Sequence, residues 1–449
     1  MRSPDLLAPP GAGLRQRLAD AVRAQLPRQG LARVEVPLPP TDPLAWLAAQ
    51  PAPRRVFWEG REGTAAAACG EVLTVEAGDL DTGSSALAPR LEALPDGARV
   101  YGTCRFAPRE TPDDAWAPFG RVRFVLPRVE LRVGADGATL ALHLTPDDDE
   151  ASVAAVLDAL AVAPPPLDLS PPAVRGREDA PDAEGWAAAV RWALTQFEAG
   201  GLEKVVFARR ARFAFDRPLD PFALLAHLRA ATPGSYHTLV GAGGAAFVGA
   251  SPERLFRVDG RRVETEAVAG TRPLTREASA DRRLHADLLA SEKDRREHAY
   301  VADAIAAALG PLTEGLDRDG APATLDGAGV QHLYTRLTGR LRDGVSSLAV
   351  LRALHPTPAV GGTPTDEALD AIGAHEPFDR GLYAGPVGWV GRDAAEFAVG
   401  IRSGLVRGAT LDLFSGAGLV AGSDPAAEWA EIEHKLSAFR RVLGLDHGG

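Results

Sequence analysis

Polarity alternates residue by residue through Arg121-Val122-Arg123-Phe124-Val125-Leu126, and Arg54-Arg55-Val56-Phe57-Trp58 has the same β-like character. A period of two sends successive side chains to opposite faces of a strand, so both segments are predicted as sheet. A helical pattern opens the chain, and the first third reads as sheet with flanking helices. Pro164-Pro165-Pro166 and Pro171-Pro172, followed by charged Arg175 to Asp179, cannot continue a helix or a central strand and read as a surface connection.

Beyond it, Trp186, Val190, Ala193 and Phe197 recur at helical spacing. Gly200-Gly201 then stops the helix before Leu202-Glu203-Lys204-Val205-Val206-Phe207 begins a strand, with Lys204 at its start. Tyr236 to Val240 and Ala245 to Ala250 flank Gly241-Ala242-Gly243-Gly244, a hairpin signal because glycine takes positive φ without steric cost. The second of these strands delivers Ser251-Pro252-Glu253. Leu284 to Leu309 is predicted as one long helix, Glu396 to Ile401 as an apolar strand with Tyr383 in the strand-like run before it, and Phe414-Ser415-Gly416-Ala417-Gly418 as a tight turn between strands. Near the end, Ser423-Asp424-Pro425 has the chemistry of a helix start. The helix that follows carries an apolar stripe of Trp429, Ile432, Leu436, Phe439 and Leu443. No repeat at solenoid spacing is present, and the class is mixed α/β.

Composition narrows the partners. The 449 residues are 45% apolar, enough for a large core, and 60 acidic against 49 basic residues give a net charge of -11. That balance argues against nucleic acid or an anionic membrane as partner. Cys69 and Cys104 are too few for a disulfide framework and match no zinc spacing, which fits a reducing cytoplasm. Pro9, Pro10, Arg15, Arg17 and Asp20 interrupt the first segment before a signal peptide can form, so no secretion is expected. The longest apolar stretch, Thr238 to Ala250, is Gly-rich and well short of the ~20 residues of a membrane-spanning helix.

Several residues are open to two readings. Glu297 falls on the row of its helix that holds Val301 and Ile305, where it is either a solvated edge residue paired with Lys293 or a carboxylate in need of a buried partner. Glu428, Glu431 and Lys435 line a strip beside the apolar stripe. The two acids either complement the helix dipole or, with a glutamate from another helix, form a site for a hard cation such as magnesium. Lys204 is a solvated strand end or, if buried, an amine whose lowered pKa leaves it uncharged and free to take a proton. Glu253 is balanced by Arg254 or acts as the matching acid. The glycine turn is a plain hairpin or an anion cradle, Arg402 an internal ion pair or a carboxylate grip, and Tyr383 a core ring or a hydroxyl for the same anion.

Taken together these blocks resemble the chorismate-utilising enzymes over Leu202 to Leu443. The resemblance rests on Leu202-Glu203-Lys204-Val205-Val206, Gly249-Ala250-Ser251-Pro252-Glu253-Arg254, Ala269-Gly270-Thr271-Arg272, Ser291-Glu292-Lys293-Asp294-Arg295-Arg296-Glu297-His298, and Gly416-Ala417-Gly418 with Glu428-Trp429-Ala430-Glu431. It implies one large chorismate-binding fold, α/β or α+β, of two packed β-sheets with helices on the outside. Residues 1–165 would form an N-terminal sheet and helix portion, and residues 180–449 the catalytic portion. The implied activity is that of the isochorismate synthases: reversible, magnesium-dependent addition of water at ring carbon two with loss of the ring carbon four hydroxyl. By the same likeness Lys204 is the base and Glu253 the acid. Glu297 and Glu431 are magnesium ligands, and Glu428 and Glu292 the outer carboxylates. Arg402, Tyr383, Gly270, Thr271, Gly416, Gly418 and His332 line the substrate cavity. Val301-Ala302-Asp303-Ala304-Ile305 stands where the similar anthranilate and aminodeoxychorismate synthases usually have an Asn-Asp-Leu-Gly type segment, which argues against an anthranilate-type reaction and an amidotransferase subunit. Leu354-His355-Pro356-Thr357-Pro358-Ala359 argues against salicylate formation. Leu44 to Ala48, Val56-Phe57-Trp58, Val100-Tyr101-Gly102 and Leu126 to Glu130 resemble the front half of the menaquinone-pathway branch. Thr357 to Thr365 is read as either a mobile cover or a fixed loop.

Overall fold

Inward and outward residues separate along the segment that alternates in sequence: in the strand Val122–Leu126, Val122, Phe124 and Leu126 are buried while Arg123 and Val125 are half-buried. The computed structural model describes residues 12–26, 29–107, 113–161, 166–274, 277–326 and 330–445. Among them the strands form two sheets, of twelve and ten strands, and every pairing is antiparallel.

The first sheet runs from Ala32–Leu38 through Gly137–Leu144, Val129–Gly134, Ala65–Cys69 and Arg55–Glu59 to Tyr236–Ala242. It continues through Ala245–Ser251, Ser403–Arg407, Thr410–Leu419 and Lys204–Phe215 to the short Gly362–Thr363. The second runs from Thr313–Arg318 through Val330–Leu341, Arg262–Pro273, Arg254–Asp259, Ala394–Val399, Pro386–Val390, Val100–Cys104 and Val122–Leu126 to Leu73–Ala77. One apolar cluster joins the sheets, taking Trp58, Phe207 and Phe247 from the first and Phe124, Phe256 and Phe397 from the second. Another packs Phe57, Leu131, Leu140 and Phe213 of the first sheet against Leu18, Leu225 and Phe439 of helices. The result is a fold of two packed sheets with helices on the outside.

The predicted hairpin is present, with Gly243 and Gly244 at φ 57° and 81° in its turn. Other expectations change. The helix predicted over Leu284 to Leu309 is two helices, Ala278–Ala290 and Glu292–Leu309. Ser291 sits between them in extended backbone, and its hydroxyl caps the second by accepting from the Asp294 amide. Phe414 to Gly418 is no turn: it lies inside the ten-residue strand Thr410–Leu419, paired throughout with Lys204–Phe215. Glycine there makes room for neighbours rather than reversing the chain. The charged run Arg175 to Asp179 is part of a strand, Val174–Ala180, paired on one side with Arg210 to Phe215. An edge strand keeps its charges in water, which the prolines before it concealed. Pro164 and Pro165 lie outside the described residues. The C-terminal stripe is carried by two helices, Pro425–Lys435 and Ser437–Val442, with Leu436 between them. Tyr383 lies in a turn, and the strand expected to end at Ile401 is Ala394–Val399. Thr357 to Thr365 is a loop that carries a two-residue strand. Its Gly362–Thr363 pairs with Lys204 and Val205, and Val360 O accepts from Arg380. Among the described residues no helix is long and apolar enough to cross a membrane.

Candidate active site

Lys204 opens its strand with no solvent exposure at all, because Gly362–Thr363 covers one side and the strand Thr410–Leu419 the other. Its Nζ donates to Glu297 Oε1 at 3.1 Å, across from the helix Glu292–Leu309. Glu297 therefore has Lys204 as its partner, while Lys293 pairs with Glu428 at 2.6 Å. The strand between them admits this contact because residue 418 is glycine: a Cβ there would collide with Glu297 Oε1. Two residues earlier on the same face, a Cβ at Gly416 would lie 3.0 Å from the Tyr383 hydroxyl.

Glu297 faces a cavity that Glu253, Gly270, His332, Tyr383, Arg402, Gly416, Gly418 and Glu431 also line. Glu253 follows the strand Ala245–Ser251. Burial pushes its carboxyl up to about 8, with Glu266 acting in the same direction and Lys204, Arg402 and Lys435 opposing. At neutral pH it is a proton donor.

Arg402 stands in left-handed backbone, φ 49°, a conformation a long side chain adopts only under constraint from its surroundings. The constraint includes its own carbonyl, which accepts from Ala250 N at 2.9 Å. Its guanidinium meets the Lys435 carbonyl at 3.5 Å and His332 Nε2 at 3.4 Å. Both acceptors are uncharged, and burial brings the guanidinium down to about 10. His332 Nδ1 lies 3.2 Å from the Gly270 carbonyl, so Nδ1 carries the hydrogen and Nε2 offers its lone pair to Arg402. Burial, then the charges of Arg402 and Lys435, lower the imidazole to about 3, in keeping with the neutral ring. A half-buried cation held by neutral groups retains its attraction for an incoming carboxylate. The Tyr383 ring stacks on Phe414 at 5.4 Å, and burial raises its hydroxyl to about 12.

Three of the four expected metal-site carboxylates come near this cavity. Glu431 is bound by Lys435 at 2.6 Å, and Lys435 also donates to the Gly416 carbonyl at 2.9 Å. Glu428 is buried one turn earlier on the same helix, where burial raises its carboxyl and Glu431 adds to the rise against the attraction of Lys293. Glu292 is exposed at the first turn of its helix and does not line the cavity. Five residues from Glu297, it is turned about 140° around the helix. Among the described residues no three of His, Cys, Asp and Glu already stand close enough to share an ion. Each of Glu297, Glu428 and Glu431 is instead held by its own lysine. Their oxygen donors suit a hard cation, and the missing Cβ at Gly418 leaves room for Glu297 to serve one.

Gly270 sits at φ 74° where the strand Arg262–Pro273 is irregular against Val330–Leu341. The side chain of the neighbouring Thr271 lies outside the described residues. Lys435 also lines the cavity, and its place one helical turn after Glu431 is the sequence signal for it.

A family model described as chorismate binding enzyme matches residues 16–444. The chain is 39% identical over 369 residues to the salicylate biosynthesis isochorismate synthase of Pseudomonas aeruginosa, spanning 78% of this chain and 76% of that one. It is 32% identical over 426 residues to isochorismate synthase MenF of Escherichia coli, spanning 93% of this chain and 95% of the relative. The solved structure of the menaquinone-specific isochorismate synthase MenF from Escherichia coli is similar with a TM-score of 0.84 at 30% identity, covering 95% of this chain and 99% of that one.

Proposed function

The chain belongs to the chorismate-binding enzyme family, and from that premise we propose that it is an isochorismate synthase, an isomerase interconverting chorismate and isochorismate. The observation that carries the reading is a buried carboxyl group, Glu253, whose burial pushes it up to about 8, in a cavity that also holds an arginine meeting the neutral Lys435 carbonyl and His332 Nε2. Arg402 binds one carboxylate of the dianionic substrate, and the Tyr383 hydroxyl bonds the same group. Glu253 gives its proton to the hydroxyl leaving ring carbon four, while the Lys204 amine takes one from the water that adds at ring carbon two. The double bonds shift between the two carbons. Because donor and acceptor exchange roles on return, the reaction runs both ways.

Glu297 and Glu431 would hold a magnesium ion, with Glu428 behind them. When bound, the ion supplies positive charge to the second substrate carboxylate. Lys293 and Lys435, which hold Glu428 and Glu431, keep the site from accumulating unpaired negative charge. The likeness to MenF of Escherichia coli over 93% of the chain, including the N-terminal third, favours menaquinone synthesis as the purpose, and no amidotransferase subunit is required.

The test is direct. Purified protein with chorismate and magnesium alone should yield isochorismate, detected through a coupled isochorismatase, and ammonium salts should yield no fluorescent anthranilate. Anthranilate formation would refute water as the nucleophile.

A further inference from the structure

The peptide groups on both sides of Glu253 are gripped by a single ion pair. Arg61 Nη1 donates to the Pro252 carbonyl at 3.0 Å, and its Nη2 donates to Glu266 Oε2 at 2.6 Å. The other carboxylate oxygen, Glu266 Oε1, accepts from the Arg254 amide at 2.7 Å. Residues 252 and 254 are thereby fixed to one guanidinium–carboxylate unit, with residue 253 between them. The Glu253 carbonyl accepts from Val399 N at 3.2 Å, and its amide donates to Ser251 Oγ at 3.2 Å. Both peptide groups at the acid are therefore hydrogen-bonded through their N–H and C=O sides.

The pair is placed for this task from far apart in sequence. Arg61 belongs to the turn between Arg55–Glu59 and Ala65–Cys69, which Gly60 N to Thr64 O at 2.9 Å and Gly63 N to Gly60 O at 3.0 Å hold closed. Its guanidinium also lies over the Tyr236 ring at 5.2 Å. Glu266 comes from the middle of Arg262–Pro273, and its side chain is 1% exposed against 16% for Arg61. The Arg254 side chain is committed elsewhere, to Glu62, Glu264 and the Tyr236 hydroxyl. A buried ion pair is a costly way to fill space, and apolar residues of similar volume often serve stability as well or better. Here the charged groups each use a second bond on the same short backbone segment.

We infer that the Arg61–Glu266 ion pair is a positioning device for the general acid, which lets the first third of the chain set the aim of the Glu253 carboxyl into the cavity. The inference rests on Glu253 being the acid. Neither Arg61 nor Glu266 lines the cavity, so their effect passes through Glu253 and not through the substrate. The charged and titratable groups acting on Glu253 are Glu266 from the second sheet, Lys204, Arg402 and Lys435 from the facing elements, and Tyr383 from the turn.

Steady-state kinetics on magnesium-loaded wild type, E253Q, R61M, E266Q and the double variant R61M/E253Q separate the possibilities. E253Q should lose at least about 10²-fold in kcat, the range of a general acid. R61M should lose about tenfold or more in kcat with KM within about threefold, the signature of a defect confined to the transition state. The double variant should be no slower than E253Q, because a misaimed acid that has already been removed costs nothing further. E266Q should also move the basic limb of the kcat/KM profile to lower pH, since the negative neighbour that favours the protonated carboxyl is gone; loss of packing alone would not move it. Wild-type kcat in R61M, or losses that multiply in the double variant, would overturn the proposal. If R61M does not fold, E266Q decides: unchanged kcat and an unmoved limb overturn it equally. An active E253Q overturns the acid assignment itself, whereas an inactive E253Q beside a fully active R61M overturns the clamp alone.

Discussion

Burial holds the Glu253 carboxyl near 8, against 4.5 for a free glutamate, and this shapes stability as well as chemistry. Between those two values the native chain holds a proton that the unfolded chain has released. Native stability therefore declines as pH rises from about 4.5 to about 8, and above that the full penalty of a buried charge remains. Glu253→Gln removes the ionisable group without changing its shape. The variant should melt close to wild type at pH 5 and above it at pH 9, measured by thermal denaturation at both; an equal or lower melting temperature at pH 9 argues that the carboxyl is not desolvated. Glu253, Lys204, Glu297 and Glu431 were legible in the sequence because each sits in a short block whose neighbours also carry the resemblance. Arg61 and Glu266 were not. They meet across 205 positions, and their use depends on strand register that no local pattern encodes.

Elements were legible where one local signal decided them, and were misread where two signals competed. Gly200 ends the helix Ala183–Ala199 in left-handed backbone at φ 75°, as its place after an amphipathic run predicts. Gly416 and Gly418 gave the same turn signal but lie inside a strand, since what glycine supplies there is absence of volume. A strand with two small residues on one face leaves a notch, and here the notch is filled by the Tyr383 hydroxyl and the Glu297 carboxylate. Gly418→Ala should leave the fold intact, because alanine is tolerated in a strand, yet displace Glu297 from Lys204 and from any shared cation. We expect turnover to fall by roughly 10²-fold or more, in line with a misplaced catalytic group. The rise in melting temperature that magnesium gives the wild type should be lost as well. Retention of that magnesium-dependent rise would show that Glu297 holds no ion.

At the scale of the whole molecule, the proline-rich segment near residue 165 marks a change of character in the sequence, and residues 1–165 and 180–449 read as two portions of one fold. Composition shows where a chain changes; it does not show which strands will pair. In the first sheet Arg55–Glu59 pairs with Tyr236–Ala242 through five residue pairs, Glu59 with His237 to Arg55 with Gly241. In the second, Val100–Cys104 pairs with Pro386–Val390 through four. Residues 180–449 alone would expose both edges, together with apolar surface that Trp58 and Phe124 cover in the intact chain. They would also lack Arg61 beside Glu253. We propose that the two portions fold as one cooperative unit. Calorimetry of the full chain should give a single transition, with calorimetric and van't Hoff enthalpies in agreement. Residues 180–449 expressed alone should show no cooperative melt and no chorismate turnover. A cooperative transition of that fragment near the wild-type temperature would mean that the interleaved strands contribute little. Recovery of turnover on adding residues 1–165 as a separate chain would instead show that the shared sheets suffice to rebuild the site, because the missing contacts to Glu253 are all non-covalent.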